Sequence, residues 1–213
     1  MRYLGGKTRI AKRLAEQINR FREPGAPFWD PFCGGLSMAV ALGGEGLVSD
    51  AHPALIAVYR AVAAGWDPPK TLTESEWRAA KELPDSDPLK AFAGFGCSFG
   101  GKWFGGYAAP APEYFYNANS KPRLDGSSRE GERIAPKDFA DEARRALLRD
   151  VPTLTTRGCV FDCVDFLSIT PVDLGALLYL DPPYRNTTGY SLPFDHDAFD
   201  VRAREWAAAG TPC

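Results

Sequence analysis

The chain has 213 residues, 45% of them hydrophobic and 24% charged, with a formal net charge of −2. That length suits one domain carrying an insertion, or two small ones, around a sizeable core, and the composition is ordinary for a soluble globular protein. No apolar run reaches the length of a membrane span and the first residues lack a secretory h-region, so a cytoplasmic protein is expected; the near-neutral balance gives no global pull toward nucleic acid. In chain order, Ile10, Leu14, Ile18 and Phe21 recur at helical spacing and predict an amphipathic helix over 8–21, opened by Gly5-Gly6-Lys7. Pro27-Phe28-Trp29-Asp30 reads as a short buried strand; Cys33-Gly34-Gly35 breaks it, and a helix restarts over 36–42, closed by Gly43-Gly44. A second strand over 46–50 ends in Asp50, and a helix runs from Pro53, a good first-turn residue, to Ala64. Thr73-Glu74-Ser75-Glu76 is a capping-box pattern opening a helix to Leu83. A Gly/aromatic stretch over 92–107 and a Pro/Asn/Ser-rich loop to Gly131 follow. Then come a helix over 136–149, strands over 159–163 and 177–181, and a last helix over 197–209.

Strand-helix alternation with acids at strand ends describes an α/β protein with a doubly wound, Rossmann-like sheet, which binds ligands outside the carboxyl ends of its strands. Residues 67–149 read as a mostly helical and irregular insertion, dividing a core of 1–66 and 150–213. The cysteines Cys33, Cys97, Cys159, Cys163 and Cys213 show no CxxC spacing, and only His52 and His196 are available beside them, so reduced thiols and no metal site are expected. Before residue 24, Arg2, Lys7, Arg9, Lys12, Arg13, Arg20 and Arg22 stand against Glu16 and Glu23 alone, a skew that fits a solvated helix face or a phosphate-facing one.

The strongest chemical signal is Leu177-Leu178-Tyr179-Leu180-Asp181-Pro182-Pro183-Tyr184. An apolar strand there delivers a carboxylate, two prolines and a ring to the sheet edge. An exocyclic amine on a purine is a poor nucleophile because its lone pair is delocalised into the ring. A carboxylate and a main-chain carbonyl gripping its N–H bonds would draw the nitrogen toward tetrahedral geometry. The prolines fix the backbone so that the carbonyl of Pro182 points outward, and Tyr184 offers a face for an extruded base. A Pro-Pro turn with Tyr184 in the core is the plainer alternative. Asp30-Pro31-Phe32-Cys33-Gly34-Gly35 sits where the first strand turns into its helix, and its glycines would let the backbone approach a ligand. The absence of G-x-G-x-x-G argues against a dinucleotide. Asp50 is placed to accept ribose hydroxyls or to cap the next helix; Asp165 is placed to accept from an adenine amine or to face solvent, and Asp162 reads as structural.

In this order the motifs resemble the Dam-like adenine-N6 DNA methyltransferases, phage members included. Tyr3-Leu4-Gly5-Gly6-Lys7 is similar to that family's aromatic-x-Gly-Gly-Lys motif, Asp30-Pro31-Phe32 to its cofactor loop, and Asp181-Pro182-Pro183-Tyr184 to its catalytic motif. The resemblance implies a methyltransferase core with S-adenosylmethionine as cofactor, contacted by Tyr3, Lys7, Asp30, Phe32, Gly34, Asp50, Asp165 and Asp181. It implies catalysis by Asp181, Pro182, Pro183 and Tyr184, a flipped adenine in double-stranded DNA as substrate, and target recognition by the insertion. Leu36 stands where members often have a further loop glycine. The family's sheet normally continues with three more strands after the catalytic one, so an incomplete sheet is expected here, with little or no turnover. A complementing chain or a cognate restriction endonuclease is then the further partner to expect. Within the insertion, Lys102 and Trp103 in the Gly/aromatic stretch and Arg123 in the polar loop are nucleic-acid candidates, with Lys121, Arg129 and Arg133 as further phosphate contacts; an aromatic mini-core and a solvated loop are the alternatives. Cytosine N4 presents a similar amine and a non-catalytic nucleic-acid-binding remnant is a third reading, but the N4 enzymes more often carry Ser where Asp181 stands.

Overall fold

In the computed structural model the described residues are 1–115, 117, 121, 126–169, 176–185 and 190–211. Their strands are β1 (Phe28–Asp30), β2 (Gly46–Asp50), β3 (Tyr114–Phe115), β4 (Arg133–Ile134), β5 (Val160–Cys163) and β6 (Leu177–Leu178). The helices are α1 (Ala11–Ile18), α2 (Ser37–Leu42), α3 (Pro53–Ala63), α4 (Glu74–Ala80), α5 (Pro88–Ala91), α6 (Phe139–Thr156) and α7 (His196–Ala208). Four strands form one parallel sheet in the order β5-β2-β1-β6, and β3 and β4 pair antiparallel as a separate ribbon. The chain thus works outward from β1 to β2 and β5, then returns to the far side of β1 for β6. The strand order thus reverses beside β1, and in open sheets of this kind ligands bind outside the carboxyl ends of the strands at such a reversal.

Alternation along the strands separates two cores. Phe28, Leu177 and Tyr179 point to a large core shared with Val48 and Phe161, while Trp29, Leu178 and Leu180 point to a smaller one. The large core carries α1, α2, α3 and α6; Tyr59, Leu147, Val151 and Leu154 are fully buried in it. Each such side chain contributes roughly 1.5–3 kcal/mol by leaving water. The small core is built by Phe166, Ile169 and Trp206, the last delivered by α7.

Three elements differ from the sequence expectation. Helix α1 starts at Ala11, not Thr8, because residues 7–10 form a turn closed by the Ile10 N–H bond to the Lys7 carbonyl. Its buried stripe is Ala11 and Ala15, while Ile10 and Phe21 are 52% and 78% exposed. Helix α6 is capped by Asp138, whose side chain accepts from Ala140 and Asp141, and runs past Arg149 through Pro152. A proline this late in a helix removes one ladder bond without stopping the flanking turns, because Val151 and Leu154 are anchored in the core. The boundary placed at 149/150 therefore falls inside α6, which packs on α3. The third is the strand leading into Asp181-Pro182-Pro183-Tyr184, regular for two residues only, although the Tyr179 N–H still reaches the Trp29 carbonyl at 2.8 Å. The capping box of α4 forms as written in the sequence, with Thr73 and Glu76 bonding each other's backbone N–H.

Candidate active site

At the crevice beside β1 lies a cavity of about 600 Å³, within the size range of small-molecule sites. Tyr3, Lys7, Asp30, Phe32, Gly34, Asp50, Asp165, Asp181, Pro182 and Pro183 all line it, although they come from four strand ends and the amino-terminal loop. Tyr184 lies at its edge, 49% exposed, with the Lys7 Nζ 4.9 Å from its ring centre. His52, Phe166, Tyr179, Tyr190 and Phe194 also line the cavity, beyond the residues expected from the sequence. Phe166 had a signal, since it directly follows an acid after a strand; Tyr190 and Phe194 sit in a loop with no pattern of its own.

The carboxylates are not equivalent. Asp30 is 1% exposed. Burial pushes its pKa well up, against the opposing Phe32 N–H at 3.2 Å, and the nearby charges of Asp181 and Asp50 push the same way. Asp50 accepts the backbone N–H of Gly34 at 3.2 Å and of His52 at 3.0 Å, so it ties the turn after β1 to the end of β2. Burial raises its pKa to about 6, with those two N–H groups opposing. A carboxylate offers about four lone-pair positions, so Asp50 keeps acceptor capacity toward the cavity. It does not cap α3: His52 does, accepting the Leu55 N–H on Nδ1 at 3.4 Å. Asp165 caps the turn Phe166–Ser168 through the Leu167 N–H at 2.9 Å. Asp162 pairs with Arg60 on the surface.

Asp181 meets a partner that motif spacing did not anticipate: the Lys7 ammonium lies 2.5 Å from its Oδ2, with side-chain exposures of only 16% and 21%. Burial lowers the lysine pKa, but hydrogen bonds to Asp181 and Tyr184 outweigh it and the net shift is upward. Lys7 is held in turn by the Gly5 carbonyl at 3.0 Å and, through its own N–H, by Ser37 Oγ at 3.2 Å. At rest a cation thus sits between the carboxylate and the ring of the Asp-Pro-Pro-Tyr segment.

The glycine loop has a packing reason beside any ligand one. Gly34 has φ +42°, and a Cβ there would lie 2.8 Å from the Tyr3 ring; at Gly35 it would meet the Met1 carbonyl at 2.8 Å. The Tyr59 hydroxyl donates to the Gly34 carbonyl. Tyr3 in turn packs on Phe95, with ring centres 4.9 Å apart. Phe32 joins Phe166, Phe194 and Phe199 in a ring cluster on the opposite face.

The Gly/aromatic stretch is largely a mini-core. Trp103 packs edge-on to His52 at 4.4 Å and against Phe95 at 4.6 Å, and Phe104 lies against Trp77 at 5.4 Å. Lys102 is exposed beside it, and Phe99, 70% exposed, is the ring presented to solvent. Arg129 and Arg133 are taken by Glu132 and Glu113; Arg123 lies outside the described residues. Among the described residues no cluster of His, Cys, Asp and Glu could hold a metal ion, and no helix is long and apolar enough to cross a membrane.

Residues 3–86 match the family model of the D12 class N6 adenine-specific DNA methyltransferases. The match contains Tyr3, Lys7, Asp30, Phe32, Gly34 and Asp50, and it supports the resemblance to the Dam-like adenine methyltransferases; Asp181 lies beyond it. No curated protein matches the chain.

Proposed function

We propose that this chain, whose amino-terminal segment carries the pattern of the D12 class N6 adenine-specific DNA methyltransferases, methylates adenine N6 of a base flipped out of duplex DNA. The observation that carries the reading is the convergence of Asp50, Asp165 and Asp181-Pro182-Pro183 on one cavity at the crevice between β1 and β6. The residues suit S-adenosylmethionine: carboxylates for its hydroxyls and amino groups, a backbone turn at Gly34, and apolar rings at Phe32 and Phe166. When bound, that cofactor supplies an electrophilic methyl group. Asp181 accepts an N–H bond of the adenine amine and so localises the nitrogen lone pair, the Pro182 carbonyl takes the second N–H, and Tyr184 stacks on the extruded ring. Before the amine can reach Asp181, the Lys7 ammonium must withdraw from it. Tyr3, whose ring fills the space above Gly34, shapes the cofactor side of the cavity. Residues 67–149 face the DNA, with Lys102 on a phosphate and Trp103 holding the segment to the sheet.

Tritiated S-adenosylmethionine and adenine-containing duplex test the reading. The incomplete sheet predicted little or no turnover, but all four strand ends and the amino-terminal loop line the cavity, so incorporation by the parent chain and its loss in Asp181→Ala, with cofactor binding retained, is the expected result. Transfer that survives in Asp181→Ala removes the catalytic assignment, and failure of the parent to bind the cofactor removes the function.

A further inference from the structure

We propose that Arg9, Lys12 and Arg13, in the turn before α1 and its first turn, seat the sugar-phosphate backbone of duplex DNA beside the mouth of the cavity. The inference rests on the DNA reading above and goes beyond it in naming a surface outside the insertion. Its first support is an imbalance in pairing. Many cations elsewhere are matched, among them Arg60 with Asp162, Arg78 with Glu74, Arg144 with Asp67 and Arg185 with Asp200, and the unmatched ones do not stand three to a helical turn. Arg9, Lys12 and Arg13 are exposed and, among the described residues, their side chains have no ion pair or hydrogen bond. Three like charges at i, i+3 and i+4 repel one another across one helical turn, and a bound polyanion turns that repulsion into attraction. Glu16, on the same side at i+4 from Lys12, is likewise unpaired among the described residues.

The second support is position. The Lys7 carbonyl accepts the Ile10 and Ala11 N–H groups, both at 2.8 Å, so Arg9 stands on the turn whose Lys7 side chain reaches Asp181, and Lys12 and Arg13 follow it directly in α1. On the other side of the amino-terminal segment, the Leu4 N–H bonds to the Gly101 carbonyl at 3.2 Å, which brings exposed Lys102 alongside. Unpaired cations therefore adjoin the amino-terminal loop at both Lys7 and Leu4, two of the residues by which it lines the cavity, so that a backbone carrying an extruded nucleotide would meet them. Contacts of this kind position a duplex without reading its sequence.

The test is duplex binding by fluorescence anisotropy over about 50 to 200 mM salt, where each phosphate contact contributes roughly 0.9 to the slope of log K against log salt. In the triple variant Arg9→Gln/Lys12→Gln/Arg13→Gln the slope should become shallower by roughly 2 to 3, equally for unrelated duplexes, with calorimetric affinity for S-adenosylmethionine unchanged. Glu16→Lys, which breaks no contact among the described residues, should steepen the slope by about 1. A parent that binds duplex with a slope neither variant alters overturns this surface and leaves the methyltransferase reading standing. A parent with no salt-dependent duplex affinity overturns both.

Discussion

Lys7 and Asp181 show what a single residue conceals in a sequence. Both were legible as chemistry-bearing, from a Gly-Gly-Lys loop and an Asp-Pro-Pro-Tyr turn, yet their pairing spans 174 positions and no local pattern encodes it. Asp50 was legible as the acid ending a strand, but its shifted ionisation follows from burial that only the fold creates. With its pKa raised to about 6, Asp50 is a charged acceptor above that pH and a neutral acid below it. Affinity for S-adenosylmethionine should therefore be level at pH 7–8 and fall as pH drops through about 6. Asp50→Asn should bind more weakly at neutral pH, by about 1–3 kcal/mol, and lose that pH dependence; calorimetry across the range checks both. His52 behaves in the opposite sense. Burial lowers its pKa from 6.5 to about 4, so between those values the unfolded chain binds more protons than the folded one. Its contribution to stability is whole above pH 6.5 and is lost as pH falls toward 4, amounting to about 3 kcal/mol at about 1.4 per unit. His52→Asn keeps a helix-capping acceptor without the titration. Urea unfolding of the two proteins at pH 7.5 and 4.5 should show the parent losing the extra stability, and identical losses would remove His52 from the account.

At the scale of elements, the most readable parts were those with local signals: Thr73 with Glu76, Pro53 at a first turn, and the strand over 46–50 ending in Asp50. Helix bounds were read less well where packing overrode pattern. The Ile10-Leu14-Ile18-Phe21 series suggested one apolar face, but α1 meets α2 through the small side chains of Ala11 and Ala15, and the large residues at its two ends stay outside. The helix read over 136–149 runs further, because the buried Val151 and Leu154 carry α6 through Pro152. Leu36, flagged as an outlier in the glycine loop, takes a left-handed conformation at φ +69° just before α2 while being fully buried. Leu36→Gly would relieve about 1–2 kcal/mol of backbone strain but forfeit about 2–5 kcal/mol of packing. Packing wins, and chemical denaturation should show a net destabilisation of about 1–3 kcal/mol. A more stable variant would mean that the strain dominates.

For the whole molecule, the order β5-β2-β1-β6 decides where function sits, since it alone brings four strand ends and the amino-terminal loop around one cavity. The sequence indicated a doubly wound sheet with acids at its strand ends; it did not show that α6 and the aromatic stretch share a core with that sheet, because contacts such as Trp103 on His52 have no periodic signature. A ligand that binds only the folded protein must stabilise it. S-adenosylmethionine at a hundredfold excess over its Kd should add about 2.7 kcal/mol and raise Tm by roughly 5–10 °C in a chain of this size. A flat melting curve series would remove the cofactor from the cavity.

The placement of β6 against β1 also has a consequence for how the protein comes into being. Phe28 pairs with Leu177, so the innermost strand of the sheet waits for a neighbour that leaves the ribosome long after it. At ~5–20 residues per second, synthesis takes roughly 7–26 seconds to go from Asp50 to Asp181. Throughout that interval the nascent chain holds half of a site, with Lys7 lacking its carboxylate. Long-range parallel pairing of this kind is also slow in itself. The cavity is therefore completed late and all at once, and an interrupted translation product would carry the amino-terminal motifs without the Asp181 side of the cavity.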